Sequence, residues 1–485
     1  MVRLSGIAAT VFCALLFWGC QSSDDAAERR AEKAREHFEA LSKRGINTSK
    51  EYTLPECIND ALQHNLDLKV EELQKAVAEE HKTAALLGML PKLTYQYDIK
   101  SRSNEPGSTS IDLKTDEVSL QTSRSSKKVE STNNFNLALS VLDFGLAYFN
   151  SVQAQDSIVL ADTQTKRVAQ NLSYEVAKAY FEVASIQNAI YATEELLQKC
   201  KDLQTVFKNL EDSRALSRQR ILQERRRFVN LEKSLMFYRR NYETSCIRLR
   251  SLMGYLPLQS IRVDTSLLAF MNVHNVPDVQ LLEELALKKR PELSQLDIQA
   301  HINTVEVRKS IVKMMPNVNL FTDWIHSSNP FLYNQSWWEL GIRASYELLK
   351  LPSKIMTTSA NIRQGEVIEM RTKALSIAVM AQVRIAYANL MESKNIYEFR
   401  EKTSSVYRQH LDMARKAFQS GGGAMARFEL DRLELEAAER DILRTQALAD
   451  CYLAYYRLLN TVGVSSFEGV ETQKKVTQTA ALSID

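Results

Sequence analysis

Two halves of this chain repeat one design. A shift of 225 residues places Ala61-Leu62 on Ala286-Leu287, Asp67-Leu68 on Glu292-Leu293, Met89 on Met314 and Pro91 on Pro316. Further along, a shift of 207 places Val176 on Val383, Ala179-Tyr180 on Ala386-Tyr387 and Gln187 on Lys394. Near the ends of the halves a shift of 209 places Arg218 on Arg427, Leu249 on Leu458 and Gly254 on Gly463. The offset changes only where loops are expected, so one supersecondary unit follows another of the same kind.

Each half carries the same succession of periodicities. A helical stretch over about 54–90 ends at Pro91, after which Leu93, Tyr95, Tyr97 and Ile99 alternate with Lys92, Thr94, Gln96, Asp98 and Lys100. Period two marks a strand with one face in apolar surroundings. A second strand, after a polar loop over 101–132, sets Phe135, Leu137, Leu139 and Val141 against Asn134, Asn136, Ala138 and Ser140. In the second half Val318, Leu320 and Trp324 alternate with Asn317, Asn319 and Asp323, interrupted by Phe321 and Thr322. Trp338, Leu340, Ile342, Ala344 and Tyr346 form the apolar side of the fourth strand. These patterns predict strands at about 92–100, 134–142, 317–326 and 337–346. After each pair comes a long helix with a coiled-coil seam: Leu172, Val176, Ala179, Val183, Ile186 and Ile190, then Val379, Val383, Ala386, Leu390, Ser393 and Tyr397. A helix from about Gly145 to Leu210 would be roughly 100 Å long at about 1.5 Å per residue. Only 14 glycines and 9 prolines in 485 residues favour such uninterrupted helices.

Strands of roughly ten residues are long enough to cross a bilayer when tilted. Every backbone N–H and C=O in hydrocarbon must be paired, so a spanning sheet closes on itself, and about eight strands is the smallest such barrel. Four strands per chain therefore require copies to share one barrel: eight strands from two, twelve from three, sixteen from four. Tyr95, Tyr97, Trp324, Trp337, Trp338 and Tyr346 fall on or beside strands where membrane-interface aromatics are expected, with one of Trp337 and Trp338 turned to the lumen or a neighbouring strand.

The amino terminus reads as an export signal over 1–19, with an apolar run from Leu4 to Trp18 too short for a permanent span. Gly19-Cys20 resembles the lipobox of bacterial lipoproteins, with Phe17 in place of the usual leucine; it implies acylation of Cys20, and Gln21 after it favours the outer membrane. Cys57, Cys200, Cys246 and Cys451 show no metal-ligand spacing and read as small core residues. The net charge of +3 comes from mixed signs, which gives no footprint for nucleic acid. No H-E-x-x-H, G-x-S-x-G or glycine-rich phosphate loop appears, so neither an enzyme nor any cofactor or metal is called for.

The order of these pieces resembles the TolC family of outer-membrane factors. The residues that carry the likeness are Ala61 to Leu68, Met89-Leu90-Pro91-Lys92-Leu93, Leu142-Asp143-Phe144-Gly145, Glu175 to Phe181 and Leu252-Met253-Gly254, within a region from about Tyr52 to Gly463. The second turn departs from the family pattern, reading Glu347-Leu348-Leu349-Lys350-Leu351-Pro352. The resemblance implies a mainly α fold with transmembrane β: a duplicated helix-strand-strand-helix unit, assembled as a homotrimer with a 12-stranded β-barrel in the outer membrane continued by a long α-helical coiled-coil periplasmic tube. It implies a passive duct that docks with a periplasmic adaptor protein and an inner-membrane transporter, serving small-compound efflux or, alternatively, type I protein secretion. A lipid-anchored periplasmic coiled-coil adaptor is the rival of another class. The expected organisation is 1–19 signal peptide, 20–51 lipidated segment, 52–256 first repeat, 257–276 linker, 277–465 second repeat and 466–485 tail. By the same resemblance Glu429 and Asp431 are candidates for the periplasmic aperture, with Arg432 as pairing partner. Arg218, Gly421, Gly422, Gly423 and Arg427 mark helix turns where an adaptor would approach.

Overall fold

In the computed structural model, residues 23–118, 121–212, 217–256, 261–269, 271, 276–421 and 424–467 are described. The element order is α1 (Ser23–Ser42), β1 (Glu51–Tyr52), α2 (Leu54–His64), α3 (Leu66–Leu87), β2 (Lys92–Ser101), β3 (Val129–Ser140), α4 (Val141–Asp212), α5 (Arg218–Leu252), β4 (Arg262–Val263), α6 (Val279–Lys289), α7 (Pro291–Val312), β5 (Asn317–Ser327), β6 (Ser336–Ser345), α8 (Leu351–Gln419) and α9 (Ala424–Val462). The succession helix, helix, strand, strand, very long helix, helix thus occurs twice. Its first two members have 11 and 22 residues both times, and the very long helices have 72 and 69.

Several boundaries differ from the sequence expectation for identifiable reasons. The stretch over 54–90 is two helices, broken at Asn65, whose backbone is extended (φ −63°, ψ 129°). Its side chain accepts from the Leu68 N–H at 3.1 Å and donates to the Leu252 carbonyl at 3.0 Å, so one residue ends a helix and caps the next. At the matching place in the second half, Arg290 is extended and Pro291 opens α7, where its missing N–H costs nothing. β3 runs over Val129–Ser140 rather than 134–142, and α4 starts at Val141 rather than Gly145. The Ser140 hydroxyl accepts from the Asp143 N–H at 3.0 Å, an N-cap that turns the chain before the alternation has run out.

The chain divides into two compact units. The first lies within Met1–Leu68, Ala169–Val279 and Arg384–Asp485. There β1 and β4 pair in parallel, Tyr52 opposite Val263. The buried Gln187 side chain donates to the Val263 carbonyl at 3.1 Å and accepts its N–H at 3.3 Å, replacing a strand partner that the short ladder lacks. Phe181 stacks on Tyr452 at 5.1 Å, and Leu196, Ile221, Leu231 and Leu435 form a separate buried cluster. Cys57, Cys246 and Cys451 are buried free thiols, and burial pushes that of Cys57 up to about 12. Such thiols behave as small apolar residues, inert as nucleophiles.

The second unit comprises Lys69–Val168 and Gln280–Val383. Its antiparallel sheet has the order β2-β3-β5-β6, leaving β2 and β6 as edges. Beneath it helices are tied by Lys75–Asp162 and Arg167–Glu292, both at 2.8 Å, and by Arg290 to Gln382 at 2.7 Å. Of the seam positions, Val379 and Val383 are buried in this unit, and Leu172, Val176, Ala179, Val183, Ala386, Leu390 and Tyr397 in the first.

Candidate functional site

The sheet has two chemically opposite faces, set by the period of two and by register. On one face Tyr95, Phe135, Trp324 and Trp338 lie opposite one another across all four strands. The rings touch along this row, Tyr95 to Phe135 at 4.7 Å and Phe135 to Trp324 at 5.7 Å. Tyr97 belongs to the next row with Asn133, His326 and Ser336. On the other side of the aromatic row the same face continues as Leu93, Leu137, Leu340, Leu320 and Ile342, and Trp338, Leu340 and Ile342 are 73%, 88% and 74% exposed. A solvent-facing strand would not carry three such residues in succession.

The opposite face is polar. One of its rows is Thr94, Asn136, Asp323 and Glu339, with the Asn136 amide donating to Asp323. Trp337 lies on this face, its indole N–H donating to Glu339 at 2.8 Å, away from Trp338. Tyr346 lies one residue beyond β6. Phe321, which interrupts the alternation in sequence, sits in a regular strand directly opposite Gly341.

The second set of candidates lies where α5 and α9 begin. Glu429 accepts from Arg220 at 2.9 Å and from Arg432 at 3.0 Å. Arg227 bridges Glu436 at 3.1 Å and Glu439 at 3.0 Å, and Glu434 pairs with Arg415 at 2.9 Å and Lys199 at 3.4 Å. Burial opposes the charge on Glu434, but hydrogen bonds and attraction from Arg415 and Lys199 outweigh it and hold the carboxyl below its ordinary range. Burial likewise opposes the charge on Arg227, and Glu439 and Glu436 outweigh it. Arg220 and Glu429, like Arg227 and Glu436, are 209 residues apart. That spacing equals the repeat offset, so equivalent positions of the two halves meet with opposite charge. Comparing the halves for charge reversal finds both pairs in the sequence alone.

Residues 57–255 match the outer membrane efflux protein family. That stretch is an outer membrane efflux protein domain. Among solved structures, the outer-membrane channel OprN is similar at 15% identity and a TM-score of 0.66, over 84% of this chain and 89% of that one. VceC, an outer membrane protein of Vibrio cholerae, covers 85% and 96% at 15% identity and a TM-score of 0.62. The Neisseria gonorrhoeae outer membrane channel MtrE, in an open state, covers 83% and 88% at 15% identity and a TM-score of 0.62. At these identities the likeness is one of fold. No curated protein sequence matches the chain.

The remaining candidates fall as follows. Arg218 is the exposed first residue of α5. Gly421 lies in the turn after α8 at φ +115°, a conformation glycine supplies without strain. Cys20, Gly422 and Gly423 lie outside the described residues, and Arg427 is described only as a backbone position in α9. Asp431 is half-buried in α9, two residues from Glu429. Among the described residues no three His, Cys, Asp or Glu side chains are gathered as metal ligands.

Proposed function

We propose that three copies of this chain form a single passive duct through the outer membrane, a 12-stranded barrel continued into the periplasm by helices, serving a tripartite system that exports small toxic compounds. The observation that carries this reading is the four-stranded sheet with an exposed apolar face and two unpaired edges, β2 and β6. Such a sheet is tolerated in a bilayer only when closed, and joining β6 of one copy to β2 of the next closes it with three copies. From the Tyr97 row, which meets β6 at Ser336, to Tyr346 is ten residues. That length is roughly 33 Å of strand, or about 25 Å of height at a tilt of about 40°, matching the apolar band of such barrels.

The helices support the same assembly. In the second unit Val70, Leu73 and Val77 of α3 and Met370 and Ile377 of α8 form exposed apolar stripes at coiled-coil spacing. In the first unit Leu222, Val229 and Met236 of α5 and Phe399, Val406 and Met413 of α8 recur at intervals of seven and are also exposed. The apolar stretch within 348–419 has only 22% of its residues buried. Neighbouring copies would cover these stripes. The test is migration on a gel with and without boiling: a barrel trimer resists detergent until heated, and a monomer in both lanes sinks the proposal.

Within that duct we place Glu429 and Asp431 at the periplasmic aperture, anchored to the outer membrane through Cys20 and approached by an adaptor protein at Arg218, Arg427 and Gly421 to Gly423. Arg220 and Arg432 clamp Glu429 within one copy, so the closed end is held by pairs rather than by repelling carboxylates alone. Neutralising Glu429 and Asp431 together is expected to lower cation preference in planar-bilayer recordings. Unchanged selectivity would remove both from the aperture. Transport energy is assigned to the inner-membrane transporter, and no catalytic step to this chain.

A further inference from the structure

Building on the duct reading above, we propose that Gly341 sets the bore of the barrel, by giving the Phe321 ring a place to lie flat against the wall and out of the path of the cargo. Phe321 and Gly341 face each other across β5 and β6 on the polar side of the sheet, the side that becomes the lumen. A Cβ built on Gly341 would lie 2.5, 2.8 and 3.2 Å from three atoms of the far end of that ring. The phenyl therefore occupies the volume that any other residue at 341 would need.

The ring's neighbours explain why it stays there. Arg343, two residues along β6, holds its guanidinium 5.0 Å from the ring centroid, a cation–π contact that covers the ring from one side. The next row in the other direction is Asp323 facing Glu339, with Asn136 and Thr94 beyond, a charged level that gives a phenyl ring nowhere apolar to go. Glycine in an edge strand normally weakens it, and an aromatic residue laid across it from the neighbouring strand restores the lost packing. Here that arrangement has a second consequence. The one bulky apolar side chain in the two rows centred on Asp323 and Phe321 is kept against the wall.

Placing a side chain at 341 costs the fold little, because only the end of Phe321 must move. Ordinary contact begins at 3.4–4 Å, so the ring must retreat by about an ångström even for alanine, and with Arg343 and Asp323 flanking it the open direction is the lumen. Valine suits a strand and moves it further. Three copies repeat the displacement around one level.

The experiment measures the size of polyethylene glycols that enter the reconstituted channel from the extracellular side, a readout that the periplasmic aperture does not set. Gly341→Val is expected to shift the cutoff to smaller polymers, and the pair Gly341→Val with Phe321→Ala to restore it. Phe321→Ala alone is expected to leave the cutoff unchanged, since a ring already on the wall obstructs nothing; this arm stands even if Gly341→Val fails to assemble. A conducting wild-type trimer whose cutoff ignores Gly341→Val, or widens with Phe321→Ala, overturns this inference and leaves the duct. A wild-type protein that forms no heat-modifiable trimer and no channel overturns both.

Discussion

Leu340→Arg is expected to abolish recovery of the heat-modifiable trimer from outer membranes. Leu340 is 88% exposed in the middle of β6, with Trp338 and Ile342 beside it on the same face and Thr322 opposite. On the proposed assembly it meets lipid near mid-depth, where an arginine costs about 2–4 kcal/mol per copy and three copies share one barrel. The total is comparable to the whole stability of a typical domain, about 5–15 kcal/mol. Glu339→Lys provides the matched control, since residue 339 points to the polar face and a lysine there would meet Asp323 across the strands. It is expected to assemble. Equal recovery of Leu340→Arg and wild type would show that this face does not meet hydrocarbon, and the closed barrel would go with it.

That pair of neighbours shows what was legible in the sequence. Alternation assigned Leu340 and Glu339 to opposite faces without a structure, because a strand with apolar surroundings on one side and polar on the other acquires a period of two. The same logic explains where the reading fell short. The first residues of β3, from Val129 to Asn133, are mostly polar on both faces, and a strand with water on both sides leaves no periodic trace. Phe321 looked like a fault in the pattern because its reason lies on another strand, in the missing side chain of Gly341. The break at Asn65 depends on an amide reaching Leu252, 187 residues away, and nothing local distinguishes it from an ordinary helical asparagine. The Arg220–Glu429 pair follows the repeat offset and was open to discovery, whereas the half-burial of Asp431 was not.

Gly254→Ala is expected to prevent accumulation of folded protein, whereas Gly421→Ala is expected to be tolerated. Both glycines have positive φ, +73° and +115°, so alanine at either costs backbone strain of about 1–3 kcal/mol. The difference lies in what the new methyl meets. At Gly421 no atom of the described residues lies within 4 Å. At Gly254 it would stand 2.5 Å from the His64 carbonyl oxygen and 3.0 Å from the carbonyl carbon, and this obstacle is backbone rather than the end of a flexible side chain. That backbone cannot withdraw cheaply, because the end of α2 is fastened to the end of α5. Asn65 donates to the Leu252 carbonyl at 3.0 Å, the Tyr255 hydroxyl donates to Asp60 at 2.8 Å, and Arg44 lies 4.2 Å over the Tyr255 ring. Overpacking of that kind adds about 1–3 kcal/mol, for a total of about 2–6 kcal/mol against strain alone at Gly421. The measurement is the temperature at which each purified variant loses its folded form, together with its yield. Similar losses for the two would mean that the joint between α2 and α5 yields to a methyl group.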